Sequence, residues 1–349
     1  MSLVFNMVGG GGGIKLTGIA VTTPPKKTAY KAGETFDPAG MVVTATYSNG
    51  AKLTIPSYTY SPVGSLTAGD TVVTITYTEG SVTKTATQAI TITVPTASTS
   101  AAAGVSYTSG LSGMSAQDVS LFAEAISNNS DITNATSTVY VDFVDVHRKI
   151  SVGDQVTLPL DGTNYAFDVI GFNHDTLTTS TAYGVATATG KAGITFQMHD
   201  LFATSFAMND SRTNVGGWKG SKMRTSTMAT MKGYLPSDWQ TAIKPVNKAS
   251  GTGGGSSSGT ETVSDNCFLL AEVEIFGNSR LSVAGEGVQY AYYKDGNSKI
   301  KKQNGSAIIW RERSPYTDDS IRFCIVVSSG ITSNGYPDLA FGVAFGFCV

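Results

Sequence analysis

Two rhythms of apolar and polar positions divide the chain. Over residues 14–95 apolar groups alternate with threonine and other polar groups at a period of two. Met41-Val-Val-Thr-Ala-Thr-Tyr47, Val73-Thr-Ile-Thr-Tyr77 and Ile90-Thr-Ile-Thr-Val94 show it best. Turn signals fall between the runs, at Ser48-Asn-Gly50 and Glu79-Gly80. Strands buried on one face and solvated on the other produce this pattern. The region therefore predicts an all-β sandwich in which Val73–Tyr77 is answered, after its turn, by Ile90–Val94.

From residue 115 the rhythm is mixed. Ser115 with Asp118 three residues on makes a capping-box start, and Val119, Phe122 and Ile126 share one helical face until Asn128-Asn129. Strands are predicted at Thr138–Phe143, Gln155–Leu160 and Tyr165–Ile170. Two helices are predicted between 218 and 249. The first carries Met228, Met231 and Leu235 on one side; the second starts at Pro236-Ser237-Asp238 and carries Trp239 and Ile243. A methionine-rich face of this kind reads as core rather than ligand groove. Residues 96–114, rich in Ser, Thr, Ala and Gly, predict an exposed flexible linker, and Ser250–Ser264 predicts an exposed mobile loop. Residues 1–13 join a short apolar lead to the Gly9–Gly13 hinge, either a disordered terminus or a peg that docks into a larger assembly. The expected fold is multidomain: an immunoglobulin-like β-sandwich over 14–95, then an α+β domain over 115–349 ending in strands.

Residues 310–349 break both rhythms. Trp310-Arg-Glu-Arg-Ser-Pro315, Phe323-Cys324, Gly330 and Gly342-Val-Ala-Phe-Gly-Phe-Cys-Val349 form a frame of apolar and glycine positions. The residues between them follow no period and repeat no functional group, so they suit neither a buried strand nor a catalytic motif. A rigid frame holding interchangeable side chains outward fits this pattern. The candidate outward positions are Ile325, Val327, Ser329, Ile331, Ser333, Asn334, Gly335, Tyr336, Asp338, Leu339 and Phe341, with Asp318, Asp319, Ile321 and Arg322 at the less clearly framed start. On the other reading this is an ordinary loop between core strands, and Ile325, Val327, Leu339 and Phe341 are core.

Composition removes several classes. Charged residues make up 14% of the 349 and the formal net charge is −2, with no basic stripe, which argues against a nucleic-acid partner. No apolar run is long enough to span a bilayer, and Met1–Val8 lacks the basic start of a signal peptide. Cys267, Cys324 and Cys348 match no metal or disulfide framework, leaving buried free thiols or a single Cys324–Cys348 bridge. His147, His174 and His199 each neighbour an acid (Asp145, Asp175, Asp200) without metal-ligand spacing. No Ser-His-Asp order, phosphate loop or carboxylate pair is present. The expectation is a binding protein with no enzymatic activity, no cofactor and no metal.

Two resemblances sharpen this. Ile19-Ala-Val-Thr22, Tyr30-Lys-Ala-Gly-Glu-Thr-Phe-Asp37, Gly40-Met-Val-Val43 and Tyr47-Ser-Asn-Gly50 resemble bacterial immunoglobulin-like domains, which implies a spacer or adhesion module. Ile150-Ser-Val-Gly-Asp154, Trp218 with Ser221 and Arg224, Leu235-Pro236 with Trp239, Phe268–Phe276, Trp310 and Arg313-Ser-Pro315 together resemble a bacterial and phage family of C-type-lectin-like fold, related to the formylglycine-generating-enzyme type. Within that group the C-terminal segment, about 316–341, looks like the variable region of proteins diversified by retroelements, of which the major tropism determinant of phage is the best-known type. That resemblance implies adenine-directed rewriting of AAC codons. Such a codon keeps its final C and never encodes Lys, Gln, Glu, Trp or Met, and residues 316–341 contain none of these.

The resemblance implies a virion-borne, tail-associated receptor-binding protein that acts outside the cell. Its partners would be a host cell-surface protein or glycan, with other tail proteins engaged through residues 1–13 and homotrimerisation adding avidity. The alternatives are a bacterial surface adhesin or a metal-dependent oxidase of the formylglycine-generating kind, the latter requiring Cys324 and Cys348 at a metal. The calcium-binding Glu-Pro-Asn and Trp-Asn-Asp sets of sugar lectins are absent.

Overall fold

A computed structural model describes residues 13–349 apart from 180, 181, 185 and 258. The expected peg at 1–13 therefore falls almost wholly outside the described residues. The chain forms two compact units, divided between Val94 and Pro95.

The first unit is a β-sandwich. One sheet holds Leu16–Thr23, Val42–Tyr47 and Lys52–Thr54; another holds Thr59–Ser61, Val72–Glu79 and Val82–Ala89, all antiparallel. Alternation turns Val43 and Ala45 inward from one sheet and Val73 and Ile75 from the other, into one cluster with Tyr30, Phe36, Leu66 and Ile90. Burying each of the larger aliphatics stabilises the unit by roughly 1.5–3 kcal/mol. Phe36 anchors one region of this core, with ring centroids 6.0 Å from Tyr30 and 5.2 Å from Tyr60.

One expected pairing is corrected. The strand that answers Val72–Glu79 is Val82–Ala89, in register from Glu79↔Val82 to Val72↔Ala89. Thr91–Thr93 instead pairs in parallel with Ala29–Lys31. Val82–Ala89 carries too few apolar groups to signal a strand, because its outward positions are fully solvated and it needs only a weak inner face.

The second unit is built on a five-stranded antiparallel sheet in the order Gln155–Leu160, Thr163–Phe172, Ile194–Met198, Gly346–Cys348, Cys267–Phe268. The last strand of the chain thus lies between two others and is fully buried. Phe167, Phe196, Phe345, Phe347 and Trp239 pack around it, with centroids mostly between 5.3 and 6.1 Å apart. A four-stranded sheet runs Thr108–Ser109, Val146–Ser151, Thr138–Phe143, Thr96–Ser98. The helix Ala116–Ser127 starts at the expected capping box, Ser115 accepting from the Asp118 N–H, and ends at Asn128. It buries Val119, Phe122 and Ile126.

Three expectations fail here for one reason. Residues 96–114 are no free linker: they supply two edge strands to the four-stranded sheet. The predicted second helix stops at Ala242, and Val246–Gly251 is a strand. Ser250–Ser264 is not a long mobile loop, because Val246–Gly251 and Thr260–Asp265 form a hairpin across it. In each case backbone pairing between strands overrides the local signal, which reads as loop at 96–114 and 250–264 and as helix at 246–249. The region 218–234 is also divided, into a short helix Gly217–Gly220, a π-helical turn Met223–Thr227 and a helix Met228–Tyr234, with Met228 and Met231 buried as core.

Candidate functional site

The C-terminal segment folds as a three-stranded antiparallel sheet, Trp310–Pro315, Phe323–Val326 and Thr332–Gly335. Its register pairs Ile325 with Ser333 and Phe323 with Gly335. One surface of this sheet closes around a shallow pocket of about 370 Å³. Among the expected positions, Arg322, Ile325, Val327, Ser333 and Asn334 line it from the strands. Gly335 lines it from the end of the third strand, and Tyr336, Leu339 and Phe341 from the residues that follow, joined by Ile309.

The other six expected positions lie elsewhere, Asp318 being exposed and accepting from the Tyr316 hydroxyl at 2.6 Å. Ser329 is exposed and Ile331 is 58% exposed, both in the turn between the last two strands. Ile321 is half-buried outside the pocket. Asp319 pairs with Arg322 at 3.3 Å, and Asp338 pairs with Arg212 at 3.2 Å. Ile325 needs correction as an outward group, because it is only 3% exposed and forms the floor. A Cβ on Gly335 would stand 3.2 Å from Ile325 Cδ1 and 2.6 Å from Phe341 Cε2, so this floor is closed by direct packing.

Two buried polar side chains hold the segment in shape: Arg311, within the expected frame Trp310–Pro315, and Asn214, which was not apparent in the sequence. Asn214 donates through Nδ2 to the carbonyls of Tyr316 (3.1 Å), Asp319 (2.9 Å) and Arg322 (2.7 Å). Its Oδ1 accepts from the Gly254 N–H at 2.9 Å, and its own N–H donates to the Ser320 carbonyl. Gly253 lies so close that a Cβ there would come within 1.8 Å of the Asn214 carbonyl oxygen, at a φ of +70°. The glycine-rich stretch after Gly251 is therefore a contact surface.

Arg311 serves the other end. Its Nη2 donates to the carbonyls of Tyr336 at 2.8 Å and of Leu339, while its guanidinium lies 4.4 Å from the centre of the Phe341 ring. Burial pulls its pKa down to about 9, opposed by the Asp338 carboxylate, so it stays charged at neutral pH. Gly342, whose N–H donates to the Ile309 carbonyl, packs closely: a Cβ there would stand 2.5 Å from Leu201 Cδ1 and 3.1 Å from the Ile309 carbonyl oxygen, so Leu201 would have to shift.

Arg212 closes the pocket's edge from outside the segment. Its guanidinium stands 4.1 Å over the Tyr336 ring and its Nε and Nη2 donate to the Asp338 carboxylate. Arg322 approaches the same ring at 5.3 Å and donates to Asn334 Oδ1. Arg212 and Asn214 sit in Met208-Asn-Asp-Ser-Arg-Thr-Asn-Val215, which has no periodicity to announce them.

Beneath the sheet lies an ionic core. Lys248 Nζ donates to Asp175 (2.6 Å), Glu274 (2.7 Å) and the Tyr290 hydroxyl (3.0 Å), and Arg313 donates to Glu274 and to the carbonyls of Ala249, Leu269 and Glu286. Burial alone would raise the Asp175 and Glu274 pKa values, but the cations beside them hold both below the usual carboxylate range. Trp218, Arg224 and Ser221 also meet as a group: Trp218 Nε1 and Arg224 Nε each donate to Asp265 at 2.7 Å, and Ser221 Oγ donates to the Trp218 carbonyl.

Two of the three histidines differ from the sequence reading, while His174 lies 3.4 Å from Asp175 as expected. His147 pairs with Asp142 and His199 with Asp168, rather than with Asp145 and Asp200, because strand pairing brings the more distant acids alongside. His174 is buried and stacked 3.7 Å from the Tyr290 ring. The three cysteines are free and buried; Cys324 and Cys348 lie on different sheets, and burial pushes both thiols well up. Among the described residues no group of three His, Cys, Asp or Glu side chains is placed to hold a metal ion, and no helix is long and apolar enough to cross a membrane.

Fold and site together define a mostly β, two-unit protein, a sandwich module followed by a mixed domain carrying a shallow pocket on its C-terminal sheet. Residues 23–105 match the family described as bacterial Ig-like domain (group 3), and the N-terminal unit is such a domain. Residues 192–349, which include the whole C-terminal segment, match a domain of unknown function, DUF6273. No curated protein matches the chain.

Proposed function

We propose that the chain is a ligand-recognition protein whose C-terminal domain has a C-type-lectin-like frame and displays a diversified surface. In this reading it is a phage tail-associated receptor-binding protein, with the Ig-like module as spacer and a host cell-surface protein or glycan as ligand. The observation that carries it is convergence: nine positions with no common chemistry share one pocket, while the residues that tie their backbone lie underneath or outside. Recognition by a variable surface needs a fixed backbone, and the bonds from Asn214 and Arg311 supply one. The match to a family described as bacterial also suits a bacterial surface adhesin using the same pocket.

The display role is tested by randomising Val327, Ser329, Ile331, Ser333, Tyr336 and Leu339 and selecting on immobilised hen lysozyme. Folded binders should emerge, against none from an equal library on the exposed face of Val82–Ala89. A C-terminal library that yields only unfolded protein overturns the reading. Diversification is tested separately by looking beside the gene for a reverse transcriptase and a near-copy of the coding sequence for 316–341 that differs at adenines.

A further inference from the structure

A second concave region of the C-terminal domain shares no residue with the pocket above. It consists of two hollows, of about 410 and 360 Å³, that share His199, Asp200 and Lys302 and so run into one another as a groove. Its chemistry is the reverse of the first pocket's. The half-buried Tyr165 stands in one hollow, stacked on Phe202 with centroids 5.6 Å apart, whereas Tyr292 borders the other as a buried side chain, 7% exposed and packed against Tyr293. Around them are amides and hydroxyls, chiefly Asn164, Asn304 and Ser298, with few aliphatic groups.

His199 sits at the junction. The Asp168 carboxylate, itself only 2% exposed, accepts from His199 Nδ1 at 2.9 Å and from Gln155 Nε2 at 2.8 Å. This fixes the tautomer, so a proton gained on acidification goes to Nε2, which has no hydrogen-bond partner among the described residues. The histidine side chain remains 49% exposed. Lys302 Nζ likewise has no ion-pair partner there, although the Lys302 N–H donates to Asp200 Oδ1 at 2.8 Å. Lys301 points away from the groove, its Nζ donating to the Met198 and His199 carbonyls.

We propose that this groove is a second binding site, which takes an oligosaccharide bearing a carboxylate. The half-buried Tyr165 facing a sugar ring, amides and hydroxyls facing its hydroxyl groups, and a carboxylate held between the Lys302 ammonium and the unpartnered His199 Nε2 fit that chemistry. A peptide would need apolar recesses, and a phosphate would need more positive charge than His199 and Lys302 supply beside Asp200.

Binding should strengthen in mild acid. The charged and titratable groups facing His199 are Asp168 and Asp200, which favour its protonation, Lys301, which opposes it, and Lys302 and Tyr292 across the groove. The hydrogen bond to Asp168 outweighs burial and raises the His199 pKa, so the imidazolium is present below neutrality and lost as pH rises.

The test uses the full chain on an array of uronate-, sialate- and sulfate-bearing oligosaccharides with their neutral counterparts, at pH 5.5 and pH 8. Retention on at least one carboxylated glycan, about tenfold stronger at pH 5.5, is expected. Lys302→Ala, at an exposed side chain, should weaken it severalfold, and His199→Gln should abolish the pH dependence with the far-ultraviolet circular dichroism unchanged. Tyr336→Ser in the other pocket should leave it intact. No retention of any carboxylated glycan, equal retention of neutral ones, or loss through Tyr336→Ser in place of Lys302→Ala overturns the proposal. None of these outcomes touches the display reading, which rests on lysozyme selection.

Discussion

In the Ig-like unit every core residue from Leu16 to Ile90 is apolar, whereas the C-terminal unit buries Asp175, Lys248, Glu274, Arg311, Glu312 and Arg313 beside its aromatic cluster. Among the described residues, all the buried polar and charged side chains belong to the second unit. The difference follows from what each backbone does. A sandwich satisfies its N–H and C=O groups strand to strand, and its interior can be hydrocarbon. The C-terminal unit carries long irregular connections whose carbonyls need donors, and Asn214, Arg311 and Arg313 provide them. The same side chains fix the backbone around the C-terminal pocket, so the unit's stability and the pocket's shape share one set of bonds.

The largest expected effect breaks the ionic side of this comparison. Glu274→Ala leaves Lys248 and Arg313 with less compensation in a fully buried site and should destabilise the C-terminal unit by about 3–5 kcal/mol. Trp218, Trp239 and Trp310 all lie in that unit, so denaturant titration followed by tryptophan fluorescence reads it selectively. The apolar counterpart, Ile75→Ala, creates a cavity in the sandwich and should cost roughly 2–5 kcal/mol there, with no pH dependence between 5 and 8. Hydrogen exchange at the Val43 and Val73 amides measures it, and the tryptophan signal should not move.

A subtler break concerns Glu312, fully buried with neither carboxyl oxygen hydrogen-bonded. Burial, reinforced by Glu272 and Glu286, pushes its pKa well above the usual value, so the folded unit holds this carboxyl protonated. A raised folded pKa gives stability that is complete below the unfolded value and declines as pH rises toward the folded one, by at most about 1.4 kcal/mol per pH unit. Asp175 and Glu274, whose values are lowered, act oppositely and weaken the unit in acid. Glu312→Gln should therefore remove the decline on the alkaline side, making the variant more stable than the parent at pH 8 and equal to it near pH 4. Melting temperatures across that range decide it; a parallel pair of profiles would contradict it.

This contrast also explains what could be read from the amino acids. The sandwich was legible because alternation at Val43/Ala45 and Val73/Ile75 states which face is buried; the weakly patterned Val82–Ala89 escaped, as did Leu16–Thr23 and the short strands Ala29–Lys31, Lys52–Thr54 and Thr59–Ser61. The capped helix at Ser115 and the strands at 138–143, 155–160 and 165–170, the last extending to Thr163–Phe172 in the structure, were legible for the same local reasons. The outward positions of the C-terminal segment could be marked by their lack of period. Their support from Asn214 could not: that residue lies about a hundred residues before the carbonyls it holds, and nothing near it in the chain implies that contact. Ile325 was misplaced because one aliphatic group in an irregular run gives no sign of which face it takes. The glycines after Gly251 read as mobile because composition does not distinguish a free loop from one pressed against Asn214.

The central claim is that exposed groups of the C-terminal segment can be exchanged without disturbing the frame. Ile331→Asn and Leu339→Asn together replace two exposed aliphatics, 58% and 44% accessible, by the residue an unaltered AAC codon would encode. The tryptophan-monitored melting temperature should stay within about 3 °C of the parent, since each exposed site contributes no more than about 0.5 kcal/mol. Ile325→Asn, at the closed floor, should lower it by about 10 °C or more. A large loss from the Ile331/Leu339 pair, equal to that from Ile325, would contradict the account.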